Sequence, residues 1–388
     1  MLASATCLVA LLMSAGAITR VQADAAWDEM ATRAEELRAR SLDPDATRAP
    51  VWGDATDDPA FEHYERAVEL MRPLTQEMFA ACVKLRELPD EQLVAQLGDL
   101  RARWRPALDA LRAGAHARDV SRSFAPADEL HTAELIVCRD IVGAAMLEAR
   151  AASLEGEQLE CVHRTLDAAT LGVDCLLDGV LVEQMIATAT LAIAVTECSD
   201  AMLARLSPAS LEHLAVGLAA LDERLPERIP LDRELRFIAT SIQEQPDHPG
   251  WCRAATWRYG FSSRWMLADA FLQAADMYDY AATATPRSWA DRQRMFERQA
   301  AKATASGNPA VTAMTPNVAN AEGSLRQVIA QLRMLRMAVD MHRGVDRPPL
   351  PDPVGSGPLQ VAQTPTGFEL RTAISDERDG LRRIVTQR

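Results

Sequence analysis

The chain has 388 residues, 48% hydrophobic and 25% charged, a globular composition long enough for about two or three domains. It carries 55 acidic against 41 basic residues, a formal charge of −14, and its only lysines are Lys84 and Lys302. No basic stripe is present to displace the counterions of a phosphate backbone, so nucleic acid is not an expected partner.

At the N-terminus, Leu2 to Ile18 are apolar or small and uncharged, centred on Leu8-Val9-Ala10-Leu11-Leu12-Met13. Arg20 and the small-x-small run Val21-Gln22-Ala23 follow, then the polar Asp24-Ala25-Ala26-Trp27. This fits a secretory signal peptide over 1–23, cleaved after Ala23; the alternative is an anchor helix that is kept. Export to the periplasm or beyond is the expected localisation. Without Cys7 the chain retains Cys82, Cys138, Cys161, Cys175, Cys198 and Cys252, an even set with no Cys-x-x-Cys spacing. Buried thiols and one or two structural disulfides are equally open readings. No later stretch reaches the ~20 apolar residues that a membrane span needs.

Apolar spacing is helical nearly throughout. Residues 24–40 read as a first helix through Trp27, Met30, Ala34 and Leu37, and 41–58 as an Asp- and Pro-rich loop. Asp58-Pro59 predicts an N-cap and a first helical position for the next helix, which carries Phe61, Tyr64, Val68 and Met71 on one face. Pro73 splits this stretch, and Pro106 predicts a kink in the helix at 90–117. Three long helices follow, ending near Gly156, at Gly179 and at Cys198. The third is apolar on all sides apart from Glu183 and Gln184, which predicts a position at the centre of the fold. Ser207-Pro208 caps another helix, and 231–245 is helical again.

After residue 245 the composition shifts: nine of the chain's nineteen aromatics fall between Trp251 and Trp289. Trp257, Phe261 and Trp265 stand at i, i+4 and i+8, on one helical face. Such a stripe suits carbohydrate, peptide or protein contacts, and more often it is core. These three residues are the candidate ligand-binding set. Residues 284–320 read as looser, 321–342 as a strong helix, and Pro348 to Pro353 as a linker. Residues 358–363 and 368–373 alternate as two strands about Thr364-Pro365-Thr366-Gly367, predicting a small hairpin.

Four stretches resemble a family of exported bacterial helical proteins of unknown function: Phe61 to Leu70, the helices of 131–206 around Glu155-Gly156-Glu157, Asn308-Pro309 with the helix after it, and the tail. The tail, with Asp352-Pro353, Gly357-Pro358-Leu359 and Gly367-Phe368-Glu369-Leu370, is similar to the C-terminal β-segment of type II secretion pseudopilins. In those proteins a Gly/Asp-rich calcium loop ends the segment. Here Ile374 to Gly380 keeps acids without the glycine pattern, so no calcium is expected.

Chemistry-bearing motifs are sparse. Glu160-x-x-His163 has the spacing of a di-iron helix but no second copy, and His131-x-x-Glu134 is the reverse order. There is no His-Glu-x-x-His, no Gly-x-Ser-x-Gly and no phosphate-binding glycine loop. The loop acids Asp43, Asp45, Asp54, Asp57 and Asp58 lack EF-hand spacing.

The resulting expectation is an all-α, irregular multi-helix array with tetratricopeptide-like hairpins in part and a small C-terminal β-hairpin. Its segments are 1–23, 24–245, 246–343 and 344–388. The expected role is binding or scaffolding in the cell envelope, with a protein or glycan partner, no cofactor, no catalytic residue and no metal. The tail resemblance adds association with secretion or pilus-like machinery. The alternative is a glycan- or peptide-acting enzyme with its site at 251–289.

Overall fold

The computed structural model describes residues 20–36, 47–120, 130–177, 179–244, 262–283, 288–315, 318–372 and 381–386. The chain is almost wholly helical and closes with a small antiparallel sheet. It forms two compact units: Met1–Ser41 with Pro230–Ala319, and Leu42–Ile229 with Asn320–Arg388. Among the described residues no helix is long and apolar enough to cross a membrane.

The larger unit opens with strand β1 (Thr56–Pro59), paired in parallel with β2 (Ala117–Asp119). That pairing keeps the chain extended through Pro59, so the following helix α2 (Ala60–Met71) starts one residue later than the Asp58 cap predicts. A 3₁₀ turn at Arg72–Leu74 takes up Pro73 before α3 (Thr75–Arg86). Helix α4 (Asp90–His116) leaves helical geometry at Gly98, φ 30°, while Pro106 lies within the helix; the break is eight residues before the predicted one. Only glycine tolerates that backbone cheaply.

Helices α5 (Thr132–Glu155) and α6 (Gln158–Leu177) form a hairpin about Gly156. Gly156 takes the left-handed conformation, φ 81°, and the Glu157 amide returns to the Ala152 carbonyl at 2.8 Å, closing a C-cap. Helix α7 (Leu181–Glu197) begins where the Glu183 carboxylate accepts the Val180 amide at 2.9 Å and the His131 amide at 2.5 Å. The short α8 (Asp200–Leu203) leads to α9 (Pro208–Arg224), which Ser207 caps by accepting the Ser210 amide.

The centre of this unit is α6, which α4, α5, α7 and α9 all contact. The prediction that α7 occupies the centre is corrected: Val182 and Met185 are 46% and 44% exposed. Apolarity on every face does not supply neighbours, and α7 packs chiefly on α5 and α6. Where α6 and α7 meet, a Cβ on Gly172 would lie 2.8–3.0 Å from Leu191, including its main chain, so the backbones approach at a residue without a side chain.

The smaller unit contains α1 (20–36), α10 (Asp232–Glu244), α11 (Ser263–Thr283), α12 (Trp289–Ala305) and α13 (Pro309–Met314). Residues 284–320 are therefore mostly helical where they are described, contrary to the looser segment predicted. Ser288 caps α12, Asn308 caps α13, and the alanine that dilutes the apolar pattern is itself the strongest helix former. Helix α14 (Val318–His342) leads to the tail. The predicted hairpin is present as β3 (Gln360–Thr364) and β4 (Gly367–Arg371), and β5 (Arg382–Thr386) adds a third strand on β4 that the alternation did not predict. Cys82, Cys138, Cys161, Cys175 and Cys198 are buried free thiols. Burial pushes Cys82 and Cys198 up to about 11, which makes them poor nucleophiles.

Candidate ligand cleft and the tryptophan–histidine cluster beside it

The charged residues and the histidine of α6 fall at Glu160, His163, Arg164, Asp167 and Asp174, one stripe of a largely apolar helix. The loop before β1 is pinned onto this stripe. Arg48 donates to Asp174 Oδ1 at 2.7 Å, to the Gly114 carbonyl at 2.7 Å and to the Ala117 carbonyl at 3.1 Å. The Tyr64 hydroxyl donates to Asp174 Oδ2 at 2.6 Å. Burial raises the Asp174 carboxyl, and Arg48 and Tyr64 oppose it. Burial also works against the Arg48 charge, but Asp174 and Tyr64 outweigh it and the guanidinium stays protonated.

Four residues farther along the loop, Trp52 donates its indole N–H to Asp167 Oδ1 at 2.9 Å. Its ring stacks on His163 with centroids 3.7 Å apart and planes 6° from parallel, and His116 meets its edge at 4.1 Å. His213, on α9, stands 5.3 Å from the His163 ring. Gly53 makes the turn at φ 68°, and a Cβ there would come within 2.8 Å of His116. Arg112 lies 5.2 Å from the Trp52 ring and donates to Asp167 Oδ2 at 3.0 Å and to Glu160 Oε1 at 2.9 Å.

Burial, with Arg112 and His213 adding to it, lowers His163 to about 4; burial and the cations Arg112 and Arg48 lower His116 as well. Asp167 is pushed up to about 6 by burial, against the pull of Arg112. At neutral pH both of these imidazoles are neutral. Nε2 of His116 and of His213 are buried without a hydrogen-bond partner among the described residues. The cluster is a set of packed rings, closed to a ligand at those nitrogens.

Arg112 and Glu160 also line an open cleft of about 670 Å³ along α4 and the start of α6. From α4 come Arg101, Arg105, Leu108 and Arg112, at i, i+4, i+7 and i+11. Arg101 holds Glu155 through two bonds of 2.8 and 3.0 Å and Glu148 at 2.9 Å, while Arg164 holds Glu160 at 2.7 Å. The lining carries four arginines (Arg101, Arg105, Arg112, Arg164) and four acids (Asp109, Glu148, Glu157, Glu160). Among the described residues Arg105 and Glu157 have no ion-pair partner, so one cation and one anion face the cleft unanswered. Such a wall suits a polar ligand bearing both charges.

Of the three predicted ligand-binding residues, Trp257 and Phe261 lie outside the described residues. Trp265 is half-buried in the first turn of α11, where its amide donates to Ser262 Oγ at 3.2 Å. Farther along that helix Met277 and Tyr280 line a second cleft of about 620 Å³ with Asp276, Asp291, Arg298 and Lys302. Asp291 accepts from Ser288 at the start of α12 and pairs with Arg294 at 2.6 Å, so it is not free for acid–base work. Among the described residues no group of three or more His, Cys, Asp or Glu side chains could hold a metal. Glu160 and His163 are taken by Arg112, Arg164 and Trp52, and His131 Nδ1 stands 3.9 Å from Glu134.

The sequence reasoning missed this site because its parts stand more than 150 residues apart, from Trp52 to His213. One usable signal was a lone tryptophan in a polar loop; another was a run of charges at helical spacing on an otherwise apolar helix. The chain matches no protein-family model, no curated protein and no solved structure.

Proposed function

We propose that the chain is an exported binding protein of the cell envelope and that the α4–α6 cleft holds its ligand, a polar molecule carrying both charges, as a short peptide does. The observation that carries this reading is the pairing pattern of the cleft. Three of its four arginines are neutralised by carboxylates, and Arg105 and Glu157, from different elements, are left over. A charge-balanced wall with one spare group of each sign favours a zwitterion over a polyanion or an apolar ligand, because only such a ligand gives both spare charges a partner. Export rests on the Leu2–Ile18 run and Val21-Gln22-Ala23.

The test places a photo-crosslinking amino acid at Arg105 in living cells, with Val216 on α9, 58% exposed, as the control position. An adduct from position 105 alone, recovered in the envelope fraction, is the expected result. Equal labelling at both positions, or a chain confined to the cytosol, would end the proposal.

A further inference from the structure

The C-terminal sheet has the strand order β3-β4-β5, so β3 is an edge. Its register on β4 runs unbroken from Gln360↔Arg371 to Thr364↔Gly367. Among the described residues its main chain pairs with β4 alone. Edge strands are ordinarily blunted by charge, proline or a bulge; β3 reads Gln-Val-Ala-Gln-Thr and has none of these.

The register puts Val361, Leu370 and Arg383 in one row of the inward face, and Gln363, Phe368 and Val385 in the next. Leu370 and Val385 are buried, yet Val361 is 39% exposed, so cover is lost toward β3. Below Val361 and Phe368 lies a cleft of about 420 Å³ lined also by Met337, Met341 and Leu350. On the outward face one row is Gln360, Arg371 and Arg382, and the next is Ala362, Glu369 and Ile384. Two like charges directly across a strand pair repel, and among the described residues neither guanidinium has an acidic partner.

We infer that β3 accepts an extended peptide strand from a protein partner, one with a large apolar residue facing the Met337–Leu350 cleft and an acidic residue beside it in sequence, over the Gln360–Arg371–Arg382 row. Main-chain pairing supplies affinity, and the cleft and the two arginines supply selectivity. A second copy of β3 is a poorer occupant: it offers no acid to the arginines and only Val361 or Gln363 to the cleft. This surface is separate from the α4–α6 cleft and stands or falls on its own.

The test uses the full chain and a fluorescein-labelled peptide alternating Glu and Leu, read by anisotropy. Val361→Lys, an edge-blocking charge, weakens binding about tenfold or more, as does N-methylation of alternate peptide amides. The double variant Arg371→Glu/Arg382→Glu binds a Lys/Leu peptide better than the Glu/Leu one, and Val216→Lys, at an exposed position of α9, changes neither. Circular dichroism identifies a variant that fails to fold, and the N-methylated peptide tests the unmodified chain regardless. Equal affinity for plain and N-methylated peptides overturns the inference. So does a dimer of the free chain that Val361→Lys converts to monomer, since β3 would then be taken by a second copy.

Discussion

Helices α6 and α7 pack against each other and finish with opposite surfaces. α6 carries two aspartates, a glutamate, an arginine and a histidine at its polar positions, and from Cys161 to Leu176 only His163 is not buried. α7 is almost uncharged and leaves a stripe through Val182, Met185 and Ala189 open. The difference lies in what surrounds each helix. The charges of α6 are met by Arg48, Trp52, Tyr64 and Arg112, delivered by the preceding loop, α2 and α4. A buried polar group is tolerable once its partner arrives from another element, whereas an apolar face stays exposed if no element reaches it.

The largest effect tests the completeness of that pairing. Asp174→Ala leaves Arg48 buried without its carboxylate, and urea unfolding is expected to show a loss of about 3–5 kcal/mol. Replacing Arg48 by Met in the same chain should return part of the loss, because the stranded charge goes with it. A single variant within about 0.5 kcal/mol of wild type would mean that water already reaches the pair.

The contact between the two helices comes next. Gly172→Ala drives a methyl group to within 3 Å of the Leu191 backbone, which a flexible side chain cannot relieve. A cost of about 1–3 kcal/mol is expected in the same unfolding experiment, with the m-value unchanged.

A smaller effect appears in the pH dependence. Asp167 has a folded value of about 6 against its ordinary 3.8, so between pH 4 and 6 the folded chain keeps a proton that the unfolded chain has lost. Its contribution to stability is therefore lost as pH rises through that window. His163 has a folded value of about 4 against 6.5, so the unfolded chain holds the extra proton and the histidine's contribution grows as pH rises from 4 to 6.5. The two slopes oppose each other in the wild type. Asp167→Asn should leave stability climbing with pH more steeply than wild type, and His163→Gln should tilt it the other way. Parallel profiles for all three chains, followed by urea unfolding from pH 4 to 7, would remove the cluster from the account.

Long helices were legible because their signals are local: Gly156 at a C-cap, Ser207-Pro208 at an N-cap, and apolar spacing between them. The hairpin at Thr364 to Gly367 was legible for the same reason. The polar cluster was not, since nothing near Trp52 in sequence announces Asp167, and Glu160-x-x-His163 reads as a metal half-site until Arg112 and Arg164 are seen to hold the glutamate. The position of α7 was misread because periodicity reports which faces are apolar and is silent on how many neighbours come.

The smallest expected effect bears on that last point. Val182→Thr with Met185→Gln exchanges two exposed apolar side chains for polar ones of similar size, at positions about half open to solvent. If the α7 stripe faces water, the pair of changes moves stability by no more than about 0.5 kcal/mol, since nothing that packs against it is lost. The contrast is with Leu166 on α6, fully buried, where removal to Ala should cost about 2–5 kcal/mol. A loss of more than about 1.5 kcal/mol from the α7 pair would put the stripe under cover and make the two helices alike in burial. Repeating the measurement over a hundredfold range of protein concentration identifies the cover. A loss that shrinks as both chains are diluted points to another copy, because stability gained from association falls with concentration, and a constant loss points to cover within the same chain.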